Sequence, residues 1–193
     1  MRKIAHLLGA AFAGVVLVYL SLPLPEIPDL PDSLKSDEPG DTVQISGVSA
    51  YYTDVSRQEV LRFYQEHFSQ SSFLSLPLPI ITLNHPPEYG KEAIRDTTES
   101  TFLYELVHPF RDSLFINGWD PAESKALREA VADPTKIIQK KGRYYERKII
   151  LRVMPSLVWL RILIFFFSFG LLTIIFKGAL NTVVRFSKKW RKK

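Results

Sequence analysis

Cysteine is absent from the 193 residues, which excludes disulfides, thiolate metal sites, cysteine nucleophiles and thioether lipid anchors. The folded part must therefore be held by its own core. Nine glycines, thirteen prolines and 12% aromatic residues also exclude collagen-like, coiled-coil and wholly disordered chains. The glycines are scattered, so neither a GxGxxG turn nor a Walker loop occurs, and nucleotide binding is not expected. A GxSxG nucleophile elbow is missing too. The four histidines, His6, His67, His85 and His108, form no i, i+4 pair and no close ligand cluster, so neither a metal nor a cofactor is expected.

What the chain does have is hydrophobicity gathered at its ends. Residues 4–22 carry no formal charge, and residues 157–176 carry only Arg161. A helix rises about 1.5 Å per residue and the hydrocarbon layer is about 30 Å thick, so each run is expected to cross a membrane. The first follows Arg2 and Lys3 and contains Ala11-Phe12-Ala13, which resembles a cleavage site. Cutting there would leave too short a hydrophobic region, so residues 1–22 are read as an uncleaved signal anchor. In the second run, residues 157–176, Arg161 is expected to snorkel toward the outer end, and a polar pathway or a lipid headgroup is the alternative.

Lysine and arginine near the spans set the orientation. Arg2 and Lys3 precede the first, and Lys35 is the only basic residue from Ser21 to Val55, so the amino terminus is expected inside the cell. Two spans return the carboxyl terminus there, in a basic tail at 177–193 that includes Lys188, Lys189 and Arg191. The tail reads as an interfacial basic helix or an unstructured polybasic anchor. Gly9 with Ala13, and Ala10 with Gly14, give the first helix a small-residue face for the second span, another membrane protein or a second copy.

Residues 23–41 hold five prolines and six acids against one lysine, the composition of an extended, solvated stalk. Residues 42–156 suit one small α+β domain with a mixed, mainly antiparallel sheet and two or three helices. Its expected elements begin with a strand over Thr42–Thr53, broken at Gly47. A helix from Ser56 follows, with a Ser56/Glu59 capping box, a Val55/Val60 staple and a stripe of Val60, Leu61, Tyr64 and Phe68. Next come an edge segment approaching the core through Ile80, Ile81 and Leu83, and a short helix, started by Pro86 and Pro87 and running from Glu88 to about Thr97, that packs through Tyr89, Ala93 and Ile94. Residues 101–108 read as a strand with DSLFINGW as hairpin partner, or as a helix ended by Pro109. Asp120 is expected to cap a helix through PAESKALREAVA. A final hairpin turns at Lys140, Lys141 and Gly142.

Residues 136–156 hold seven basic groups and one acid, so Lys140, Lys141, Arg143, Arg147 and Lys148, with Arg161, are candidates for contact with anionic lipid. A solvated basic strand face is the alternative. Nucleic acid is not an expected partner, because the cations adjoin a membrane span and no binding fold is recognisable. One polar cluster stands out, His108, Arg111 and Asp112 within HPFRDS, with Trp119 nearby. It could bind an anion through Arg111 with His108 moving protons, or be ordinary turn chemistry. No reaction is dictated. The expectation is a non-catalytic, two-pass envelope protein presenting an extracytoplasmic binding or assembly domain, with a ligand-sensing subunit and a membrane-bound hydrolase as alternatives.

Overall fold

The computed structural model describes residues 2–39, 41, 46–70, 77–94 and 100–190, and of residues 2, 3, 5, 6, 93, 94 and 184–190 the backbone only. The chain divides into two units, Pro23–Pro155 and the terminal segments Met1–Leu22 and Ser156–Lys193.

Pro23–Pro155 is an α+β unit built on a six-stranded sheet. Its strands are β1 (Ser33–Lys35), β2 (Val48–Thr53), β3 (Ile81–His85), β4 (Phe102–Val107), β5 (Ser113–Trp119) and β8 (Arg147–Met154), in the order β1-β2-β8-β5-β4-β3. Every pairing among the described residues is antiparallel, so the mixed sheet expected from the sequence is instead uniform. β8 is buried on both faces between β2 and β5, which is why Ile149, Ile150 and Leu151 read as a continuous apolar run. A two-residue turn joins β6 (Ile138–Lys140) to β7 (Arg143–Tyr145). Lys141 and Gly142 both have positive φ, 49° and 80°, as a type I′ hairpin requires.

The helix α2 (Arg57–Ser69) covers one face of the sheet. Ser56 Oγ accepts from the Glu59 N–H at 3.3 Å while Glu59 Oε2 accepts from the Ser56 N–H at 3.0 Å, the expected capping box. Val60, Tyr64 and Phe68 are fully buried against Tyr51, Phe102, Leu106, Leu114 and Ile149. The other face holds two smaller clusters, one around Val48, Ala50, Leu103 and Ile150, the other around Tyr52, Ile138 and Tyr145.

The segment expected to be a solvated stalk is part of this unit. Leu30 is buried in the main core with Ile27 packed beside it, Tyr64 Oη donates to the Pro28 carbonyl at 3.4 Å, and Ser33–Lys35 pairs with β2. Composition misled because three of the six acids, Asp37, Glu38 and Asp41, are paired with cations distant in sequence. Other expectations fare differently. Of the two readings of residues 101–108 the strand holds, as β4 over Phe102–Val107, because β3 and β5 supply ladders on both sides. Ile80 does reach the core, but on edge strand β3 Ile81 and Leu83 are exposed, and Tyr89 is exposed as well. Helix α3 (Gly90–Ile94) follows a 3₁₀ turn at Pro87–Tyr89; its expected contacts through Ala93 and Ile94, and its extension to Thr97, lie outside the described residues, as does the strand expected over 42–45. Helix α4 is only Lys125–Ala130 and is capped by Ser124, whose Oγ accepts from the Leu127 N–H. Asp120 instead closes a turn onto the Ala122 N–H and pairs with Arg147.

The terminal unit consists of α1 (Arg2–Ser21) and α5 (Val158–Trp190). Among the described residues, Val158–Val183 is the one helical stretch long and apolar enough to cross a membrane, with a mean hydropathy of 2.3. The apolar part of α1 is shorter: Leu7–Ser21 spans about 22 Å. Helix α5 continues past Phe176 as far as Trp190. Arg161 is buried. Its Nε donates to Ser156 Oγ at 2.6 Å, Nη2 to the Ser156 carbonyl at 2.7 Å and Nη1 to the Leu20 carbonyl at 3.3 Å. The side chain points toward the start of its helix, as snorkelling requires, but binds a carbonyl in the last turn of α1. The two helices thus meet with the end of α1 beside the start of α5. A Cβ on Gly9 or Gly14 would meet nothing within 4 Å.

Candidate functional site

The β4–β5 connection positions three of the four residues of the polar cluster. The His108 N–H donates to the Asp112 carbonyl and the Arg111 N–H to the His108 carbonyl, both at 2.9 Å, so the loop is a tight turn that folds its own side chains inward. His108 is fully buried and its ring stacks on Phe68, centroids 4.1 Å apart and planes 13° from parallel. The side chains of Arg111 and Asp112 have no solvent exposure; Arg111 Nη2 lies 3.3 Å from Asp112 Oδ2 and donates to the Pro23 carbonyl at 2.8 Å. A guanidinium held this way ties residue 23 to the turn. The expected turn chemistry is present in altered form, since Asp112 serves the backbone through its carbonyl while its carboxylate faces Arg111.

Trp119 does not belong to this cluster. It ends β5, six residues from Ser113, and at about 3.3 Å per residue lies roughly 20 Å away along the strand. It packs with the Tyr52, Ile138 and Tyr145 cluster, and its Nε1 is buried with no hydrogen-bond partner among the described residues.

The basic hairpin residues are engaged in ion pairs inside the unit. Lys140 bonds Glu38, Lys141 lies 3.6 Å from Asp37, Arg143 2.6 Å from Asp54, Arg147 2.6 Å from Asp120 and Lys148 2.7 Å from Asp41. The Lys148 and Asp41 side chains are 9% and 7% exposed, and Ser36 Oγ donates to the second oxygen of Asp41 at 2.5 Å. Asp37, Glu38 and Asp41 supply three of these five partners, so part of the acid-rich stretch and part of the base-rich stretch cancel in space. Register sets their location as well: Arg147 and Lys148 pair with Thr53 and Tyr52, at the end of β8 opposite Met154. These cations lie at the end of the sheet away from the exit of the chain at Pro155. Of the tail candidates, the side chains of Lys188 and Lys189, and all of Arg191, lie outside the described residues.

Two phenols complete this network. Tyr51 Oη donates to Asp29 Oδ1 and Tyr52 Oη to Glu38 Oε2, each at 2.6 Å. The Lys140 hydrogen bond, then that of Tyr52, holds the Glu38 carboxyl below the usual glutamate range. Lys35 and then Tyr51 do the same to Asp29. Burial first, then the facing carboxylate, pushes both tyrosine hydroxyls above their ordinary value.

One titratable pair escaped the sequence reading. His85 Nε2 lies 2.8 Å from Glu105 Oε2, with side chains 29% and 17% exposed. Spacing could not reveal it, since the two residues stand on adjacent strands and meet only through the β3–β4 register. A histidine oriented by a carboxylate is half of a general-base device, but no hydroxyl or other nucleophile bonds the ring among the described residues. No group of three or more His, Asp or Glu side chains among the described residues is placed to hold a metal ion.

No known family, curated protein or solved structure matches this chain. Function must therefore be argued from the chain itself.

Proposed function

We propose that this chain is a two-pass membrane protein that presents its α+β unit outside the cytoplasm, with both termini inside, and that it acts by binding or assembly and not by catalysis. The observation that carries the membrane reading is the long, predominantly apolar helical stretch Val158–Val183 of α5, in which Arg161 and Lys177 are the charged residues. Helix α1 has a shorter apolar stretch, and local thinning of the bilayer accommodates a length of about 22 Å. The bond from Arg161 to the Leu20 carbonyl favours a helical hairpin, because it brings the end of α1 beside the start of α5. Arg2 and Lys3 before α1, and the cations after Val183, support the orientation.

Binding is preferred to catalysis because His108, Arg111 and Asp112 are closed into the fold, where they brace a turn and the start of the domain. The hydrolase alternative has one contact in its favour, His85 with Glu105.

The test uses the cysteine-free background: single cysteines at Glu129, Lys141 and Ser187, labelled in intact cells with a membrane-impermeant thiol reagent. Labelling at 129 and 141 but not at 187 is the expected result. Labelling at 187 with protection of the other two would place the domain in the cytoplasm and overturn the proposal.

A further inference from the structure

The β4–β5 turn carries a feature unconnected with its buried polar core. Phe110, at its apex, is 88% exposed, and its φ is +61°, a left-handed conformation that is unfavourable for a bulky residue. Glycine would relieve the backbone and asparagine would serve the turn, yet the position presents a benzyl group to the surroundings. Strain combined with an exposed aromatic ring points to a role outside the fold.

Register says what lies beside it. Val107 pairs with both Ile81 and Ser113, and Ser113 pairs with Met154, so the turn projects from the end of the sheet at which β8 leaves the unit. Arg111 holds the Pro23 carbonyl, so the segment entering the unit starts there too. Ile81, Met154 and Leu24 are exposed at this end, at 50%, 40% and 37%. Val158, the start of α5, is four positions beyond Met154, a reach of at most about 14 Å. The charged hairpin occupies the other end of the sheet.

We infer that Phe110 is a membrane-dipping residue, which inserts its ring into the lipid interface. Aromatic rings are favoured at that depth, and burying one there removes exposed apolar surface that the fold leaves uncovered. This rests on the reading of α5 as a span.

The experiment uses the full chain in phosphatidylcholine vesicles. An environment-sensitive fluorophore is attached to single cysteines made by Phe110→Cys, Leu171→Cys in α5, or Tyr144→Cys in β7, and a spin-labelled lipid serves as quencher. Phe110 and Tyr144 are exposed, so neither substitution disturbs the core. The expected result is a blue shift and loss of emission at 110 and 171, and neither at 144. Quenching at 171 with water-like emission at 110 would overturn the inference and leave the span intact. Absence of quenching at 171 would overturn the span and the inference with it. Equal quenching at 110 and 144 would also overturn it, because the end of the sheet would then not be what contacts lipid.

Discussion

Replacing Lys148 with methionine separates two roles for the basic hairpin. At 2.7 Å and an effective dielectric constant near 20, the attraction between Lys148 and Asp41 is about 6 kcal/mol. Removing both groups from water costs several kcal/mol each, so the intact pair contributes little net stability. A single substitution is different, because it leaves Asp41 buried with the Ser36 hydroxyl as its remaining side-chain partner among the described residues. Lys148→Met should therefore destabilise the fold by about 3–5 kcal/mol. Asp41→Leu should do comparable damage, while the double variant should recover most of the loss. The assay is denaturant unfolding of the full chain in detergent, followed by tryptophan fluorescence, since Trp119 packs on the cluster around Tyr52. A loss below about 1 kcal/mol for Lys148→Met would refute the buried-pair argument. So would a double variant whose loss equals the sum of the two single ones.

Three further outcomes follow from the same reasoning. Ser56→Ala removes the acceptor for the Glu59 N–H and should lower stability by about 1 kcal/mol, which chemical denaturation resolves. Gly118→Ala would drive a Cβ into the Phe102 ring, which is 1% exposed, and should destabilise by about 1–3 kcal/mol or more, read as a lowered Tm; an unchanged Tm would mean that the ring can move aside. Because Asp29 and Glu38 titrate below their ordinary values of 3.8 and 4.5, their contribution is present above those values and is lost as pH falls through the lower folded ones. Tm should therefore drop on the acid side, and Glu38→Gln should flatten that drop; an unaltered acid limb in the variant would count against the network.

Local signals were the most legible part of this chain. The capping box at Ser56 and Glu59 and the stripe of Val60, Tyr64 and Phe68 lie within 13 residues, so composition and spacing alone contain the interaction. The β6–β7 hairpin was equally readable, because Gly142 supplies the turn on the spot. Asp120 shows the limit of such signals. Its type and position suit a helix cap, yet a cation on β8 competes for the carboxylate, and α4 begins later under Ser124.

Of the candidate site, the sequence could identify the titratable and aromatic groups but not their company. His108, Arg111 and Asp112 are neighbours in the chain and remain neighbours in the fold, while Trp119, only seven residues beyond Asp112, is carried to the far end of an extended strand. His85 and Glu105 became a pair only when β3 and β4 took their register.

By itself the sequence determined the apolar stretch of α5, the α+β character and the main helix, because each depends on residues a few positions apart. Tertiary structure alone decided that residues 23–41 belong to the domain, that the acids at 37–41 face the cations of the hairpin, and that Phe110 stands at the end where the chain leaves. Asp41 and Lys148 are 107 positions apart, and charge or composition counted along the chain holds no information about contacts that only closure of the sheet creates.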